Sequence, residues 1–143
     1  MDWRHRRDPL YRGDHRGGVS LPTPTADKSL VRHILYLEGL GRETPYVSTT
    51  ESRDTAAHFA GTNGQIYTTT AHREEVEFTY LPRKTLLKML RGRGQGLAAW
   101  SDPFEVTRAR QYVEQHAEHL FSFSSCEHVP EQELRQLVDE KFR

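Results

Sequence analysis

The chain has 143 residues, 35% of them hydrophobic, and its 20 Lys and Arg are balanced by 20 Asp and Glu. That length supports one domain with a modest core, and the zero net charge weighs against nucleic acid or an anionic membrane as a partner. The one cysteine, Cys126, excludes an internal disulfide, and no apolar run approaches the ~20 residues that span a bilayer.

Taken from the N-terminus, "WRHRR" (3–7) reads as a solvated tail covering about residues 1–8, and the segment lacks the apolar core of a secretory signal. "PLYRGDHRGG" reads as a short strand ending in glycines, and "LPTPTAD" as a proline-broken loop. From Asp27 to Leu40 the apolar positions Leu30, Val31, Ile34, Leu35 and Leu37 recur at helical spacing, with Gly39 or Gly41 as the stop. "PYVSTT" reads as a strand, and Ser52 caps a helix over Arg53–Ala60 with Gly61 just beyond it.

"GQIYTTT" and "EVEFTYL" alternate as strands, the second with Val76, Phe78 and Tyr80 on one face. "KTLLKML" reads as a short helix closed by the flexible glycines of "RGRGQG". Asp102-Pro103 with Glu105 opens a helix whose spacing continues through Val106, Tyr112, Val113 and Leu120. The whole of 1–143 is therefore expected to be a single α+β domain of short mixed strands with flanking helices.

Three stretches carry chemistry. Arg12 follows an apolar-aromatic pair at a strand end, and its planar fork suits a pyrophosphate. In "YVSTT" the two-residue pleat sets Tyr46 and Ser48 on one face and Val47 and Thr49 on the other, so Ser48 can face a cleft while Val47 packs inward. Thr50 and Ser52 also read as caps of the next helix. "EQE", Glu131 to Glu133, has two readings. On a strand its carboxylates share a face, roughly 7 Å apart; after Pro130 and before Leu134, Leu137 and Val138 it is also a good helix start.

Together "LYRGDHR", "YVSTT" and "EQE" resemble the three-part signature of the cholera-toxin-like and pertussis-toxin-like mono-ADP-ribosyltransferases: an arginine on the first strand, a Ser-Thr-Ser on the second and a Glu-x-Glu on a later one. Tyr11, Arg12, Asp14 and Arg16 match the context of the arginine, and Ala56 and Ala57 match a paired alanine after the triplet. The resemblance implies a split NAD-binding cleft and NAD as a substrate, with no metal. In it Arg12 holds the phosphates, and backbone near Gly13 holds the nicotinamide amide. Ser48, Thr49 and Thr50 line the cofactor, and Ser48 orients Glu133. Glu133 opposes the developing charge on the ribose, and Glu131 serves the acceptor. A loop from Phe121 to Pro130 offers Phe121 or Phe123 to that acceptor.

Glu131 implies transfer to an arginine of a target protein. The family's habits imply a toxin or effector, a signal-independent route into a target cell and a cognate immunity or inhibitor protein. Thr50 stands where the pattern has serine, the spacing between Ser48 and Glu133 is long, and Glu75 and Glu77 of "EEVEF" form a rival pair. A site acting on nucleic acid, an NAD glycohydrolase and a noncatalytic binding module remain as alternatives. His116 and His119, one helical turn apart with Glu118 between them, suggest metal ligands, but a third ligand is not evident. Cys126 and His128 lie too close in a loop to be oriented as a thiol–imidazole pair.

Overall fold

The computed structural model describes residues 7–36 and 43–143. It is an α+β domain whose five strands form one sheet in the order β3-β1-β2-β5-β4. They are β1 (Leu10–His15), β2 (Tyr46–Thr50), β3 (Gly64–Thr69), β4 (Thr79–Leu81) and β5 (Glu118–Ser122). Every pairing is antiparallel, so the expected mixture of strand directions is corrected.

The helices follow local signals closely. Ser29 caps α1 (Leu30–Leu35) and Ser52 caps α2 (Arg53–Ala60), each hydroxyl accepting a backbone N–H three residues on. The expected continuation of α1 through Leu37 to Gly39 or Gly41 lies outside the described residues. Helix α3 spans Arg83–Met89. Helix α4 (Pro103–His116) has Asp102 as its cap, proline at its first position, and Val106, Ala109 and Val113 buried along one stripe. Helix α5 (Glu131–Lys141) buries Leu134 and Val138.

Two expectations fail here for physical reasons. The helical spacing through Leu120 breaks at Ala117, which is left-handed with φ of 46°, and the chain continues as β5. In "EVEFTYL" only the last three residues pair as a strand, while Phe78 leaves the ladder and packs into the core.

The sheet separates two apolar clusters. On one face Leu10, Val47, Phe121 and Phe123 pack with Phe78 and with Leu134 and Val138 of α5. On the other, Tyr46 and Leu120 meet α1, α3 and α4 through Leu30, Leu86, Val106 and Val113. Helix α2 lies directly on β1. A Cβ at Gly13 would stand 1.9 Å from the Ala56 carbonyl oxygen, so only glycine permits that approach.

Register explains where the sheet opens. Strand β2 pairs with β5 from Tyr46–Ser122 to Thr50–Glu118, but meets β1 only at Tyr11–Thr50. Beyond that pair β1 and β2 diverge, and the Arg12 guanidinium donates to the Ser48 carbonyl oxygen at 3.0 Å. An arginine side chain thus satisfies a backbone acceptor that a continued ladder would have used.

Candidate active site

A cavity of about 530 Å³ opens where β1 and β2 part, within the roughly 300–1,000 Å³ typical of small-molecule sites. Its floor comes from Arg12 and Gly13 of β1, Ser48, Thr49 and Thr50 of β2, and Glu118 of β5. Helix α1 contributes His33, Ile34 and Leu35 to one wall. The other wall has Phe59 of α2 with Arg108, Tyr112 and His116 of α4.

Arg12 is fixed before any ligand arrives. Its Nε donates to Asp14 Oδ2 at 2.9 Å, and its Nη1 to the Ser48 carbonyl. Asp14 is held in turn by the Ser20 backbone N–H and hydroxyl, both at 2.8 Å. Burial raises the Asp14 pKa, but the Arg12 charge and the bonds from Ser20 and His15 outweigh it and leave the carboxyl below its ordinary value. The "RGD" and the serine six residues later therefore work as one clamp.

Ser48 joins two titratable groups. His33 Nε2 lies 2.6 Å from Ser48 Oγ, and His33 Nδ1 lies 2.7 Å from Thr44 Oγ1. His33 is fully enclosed. Burial, with the Arg12 and Arg32 charges, lowers its pKa to about 3. A neutral imidazole has one N–H and one acceptor, so the chain of bonds must run in a single direction. With Glu118 ionised, Thr44 donates to Nδ1, Nε2–H donates to Ser48 Oγ, and the Ser48 hydroxyl donates to the carboxylate.

Glu118 ends this chain of hydrogen bonds. It is 4% exposed, and its Oε2 is buried without a hydrogen-bond partner among the described residues. Burial pushes its pKa up to about 7, against the opposing pull of the Ser48 hydroxyl bond and the Arg12 charge. Such a carboxyl can change protonation near neutrality, where a surface glutamate would stay ionised.

The hydroxyl triplet divides its labour. Ser48 serves the cavity. Thr49 Oγ1 donates to the His119 carbonyl at 3.0 Å and ties β2 to β5. Thr50 Oγ1 donates to the His116 carbonyl at 2.6 Å and also accepts from the Ser52 N–H. That anchors the end of α4, so the step from His116 through Ala117 to Glu118 is pinned to β2.

Arg12, Gly13, Ser48, Thr49 and Thr50, which the resemblance assigns to the cofactor, line this one cavity. The rest of the expected set does not join them. Glu131 and Glu133 stand exposed in the first turn of α5 and do not line the cavity, because Pro130 and the buried Leu134 and Val138 make this segment a helix. Phe121 and Phe123 are fully buried in the core under α5, so neither offers a face to an acceptor. Glu75 and Glu77 are exposed and outside the cavity as well.

His33 and Glu118 take no part in the sequence expectation for the site. A histidine inside the apolar stripe of α1 was the available signal for the first. For Glu118 the signal was weaker: it lay hidden between His116 and His119, which pointed to a metal. Among the described residues no cluster of three metal-ligating side chains occurs. His119 points away from Glu118, across the sheet. The chain matches no family model, no curated protein and no solved structure.

Proposed function

We propose that this cavity binds NAD and breaks its nicotinamide–ribose bond, transferring ADP-ribose, with Glu118 as the carboxylate opposite the reacting carbon. One observation carries the reading: Arg12 from β1, Ser48 from β2 and Glu118 from β5 converge where the sheet splits. The resemblance implies an arginine on the first strand, a hydroxyl triplet on the second and a glutamate on a later one, and an ADP-ribosyltransferase-like fold accords with the split. In this reading Glu118 takes the role that the resemblance gives to Glu133.

The chemistry follows from the groups present. Breaking an N-glycosidic bond develops oxocarbenium character on the ribose. An ionised Glu118, itself buried, opposes that charge, a contribution that can reach several kcal/mol. Ser48 orients the carboxylate, and the enclosed His33 holds Ser48. The preset Arg12 fork, with Arg108 across the cavity, supplies positive charge for the pyrophosphate. The cationic nicotinamide would itself favour ionisation of Glu118 when NAD binds.

The expectation of an arginine acceptor rested on Glu131, which lies outside the cavity, and is not part of this reading. Incubation of the purified protein with NAD, alone and with a cell lysate, tests the reading by release of free nicotinamide. Arg12→Lys should lower kcat/KM at least about tenfold, since a point charge cannot reproduce a bidentate contact. Nicotinamide release no faster than the protein-free blank, in either mixture, would overturn the reading.

A further inference from the structure

The wall opposite Arg12 carries a second imidazole whose role the NAD-side residues leave open. His116 ends α4 and lines the same cavity as Glu118, two residues away. Its ring lies between two others: Tyr112 at 4.1 Å between centroids and nearly parallel, and Phe59 at 5.2 Å. Phe59 remains 49% exposed, so this aromatic shelf faces the mouth and not the core.

The position of His116 is over-determined. Its carbonyl accepts from Thr50 Oγ1, and the next residue turns left-handed to start β5. Its Nδ1 is buried and makes no hydrogen bond among the described residues. Burial, with the charge of His58 nearby, lowers its pKa, which keeps the ring neutral and able to take a proton. Nothing about the fold requires an imidazole here. A leucine or phenylalanine would fill the same stack without an unmet polar atom.

Charge around the shelf narrows what it can serve. Among the described residues that line the cavity, Glu118 is the one acid, facing Arg12 and Arg108. With NAD bound, its pyrophosphate offsets Arg12 and Arg108. A guanidinium acceptor would compete with the ribose cation for Glu118 and find no second carboxylate among the described cavity-lining residues to remove its proton.

We infer that His116 is the base for the acceptor, and that the acceptor is a neutral X–H nucleophile, a hydroxyl or thiol, laid against the Phe59–His116–Tyr112 shelf. The inference rests on the reading of the cavity as an ADP-ribosyl transfer site. In the step, the C1′–N bond breaks and nicotinamide leaves with the electron pair. The acceptor's oxygen or sulfur bonds to C1′, and its proton passes to Nε2 of His116, the ring nitrogen other than the buried Nδ1, and then to water. NAD and R–XH become ADP-ribosyl–XR, nicotinamide and one proton.

The test is a partition measurement. Wild-type protein is incubated with NAD and equal concentrations of ethanol, ethanethiol or methylguanidine, as hydroxyl, thiol and guanidinium probes. Both free nicotinamide and the ADP-ribosyl adduct are quantified, and the readout is adduct formed per nicotinamide released. Wild type should capture at least one neutral probe and leave methylguanidine unmodified. The hydroxyl and thiol arms identify which neutral chemistry the shelf takes.

His116→Gln, which keeps a polar planar group, and His116→Ala should each lower the captured fraction about tenfold or more, a modest share of what a positioned base supplies. The fraction is normalised to turnover, so partial misfolding does not move it. An unchanged captured fraction in both variants would overturn the assignment, as would preferential capture of methylguanidine. Absent nicotinamide release in wild type would instead bring down the underlying reading of the cavity, which the same assay registers separately.

Discussion

Glu118 and His119 are neighbours on β5, both about 4% exposed, and they face opposite sides of one sheet. Their surroundings differ sharply. His119 Nδ1 lies 2.7 Å from the Tyr80 hydroxyl, and its Nε2 lies 2.7 Å from Glu51 Oε2, which also pairs with Arg83 at 3.4 Å. Its ring stacks parallel on Tyr80 as well. Glu118, by contrast, has a buried oxygen with no partner among the described residues and a pKa of about 7. A buried polar group whose bonds are all made holds a fold together. One left half-satisfied at a cavity wall stores free energy that a ligand can release.

Breaking the satisfied side should have the largest effect on stability. His119→Ala leaves Glu51 and Tyr80 without their shared partner and opens a cavity between β4 and β5. Denaturant unfolding should show a loss of about 3–4 kcal/mol. Nicotinamide release per folded molecule should persist, because the node lies across the sheet from the reacting groups. A loss below about 1 kcal/mol would mean that the two sides of β5 are energetically alike.

The half-satisfied side should reveal itself through pH. The folded-state pKa of Glu118 is raised from 4.5 to about 7, so the folded protein holds this proton more tightly than the unfolded chain does. The associated stability is fully present below about pH 4.5 and is lost as pH rises through 7, amounting to about 3 kcal/mol. His33 runs the other way. Its folded pKa falls from 6.5 to about 3, so its contribution is present above pH 6.5 and is lost as pH falls toward 3. Glu118→Gln removes the first effect alone. Its stability relative to wild type should climb between pH 5 and 8 in urea titrations, and a constant difference would contradict the assigned pKa.

A smaller change tests the link between the serine and the carboxylate. Ser48→Ala removes the hydrogen bond that lowers the Glu118 pKa, so ionisation should require a higher pH. The acid limb of the kcat/KM profile for nicotinamide release should move up by roughly one unit, the equivalent of one hydrogen bond to a charged group. A profile that falls in height without moving along the pH axis would separate Ser48 from Glu118.

Much of this architecture could be read from the sequence, and the failures have identifiable causes. Strands β1, β2 and β3 and the caps of α2 and α4 depend on neighbouring residues, which a linear pattern displays directly. The division of labour in Ser48-Thr49-Thr50 was partly visible, because a strand's pleat assigns faces without tertiary knowledge, whereas the clamp of Asp14 and Ser20 on Arg12 was not read.

The glutamate was missed where local and non-local signals conflict. Leu120 continues the helical spacing of α4, and the left-handed turn that ends the helix falls on Ala117, with no glycine to mark it. The start of β5 was therefore concealed inside an apparent helix. "EQE" matched a pattern of letters, while Pro130, Leu134 and Val138 already marked the segment as an amphipathic helix. Which carboxylate reaches the cleft is decided by the pairing of β5 with β2, a contact between residues some 70 positions apart in the chain.

The central claim is that Glu118, rather than Glu131 or Glu133, faces the scissile bond. Nicotinamide release from NAD by Glu118→Gln, set beside the double variant Glu131→Gln/Glu133→Gln, tests it most directly. The first should fall by about 10² or more while keeping its fold, in line with removal of a preorganised electrostatic group; the second should match wild type. Retained release in Glu118→Gln together with its loss in the double variant would contradict the account.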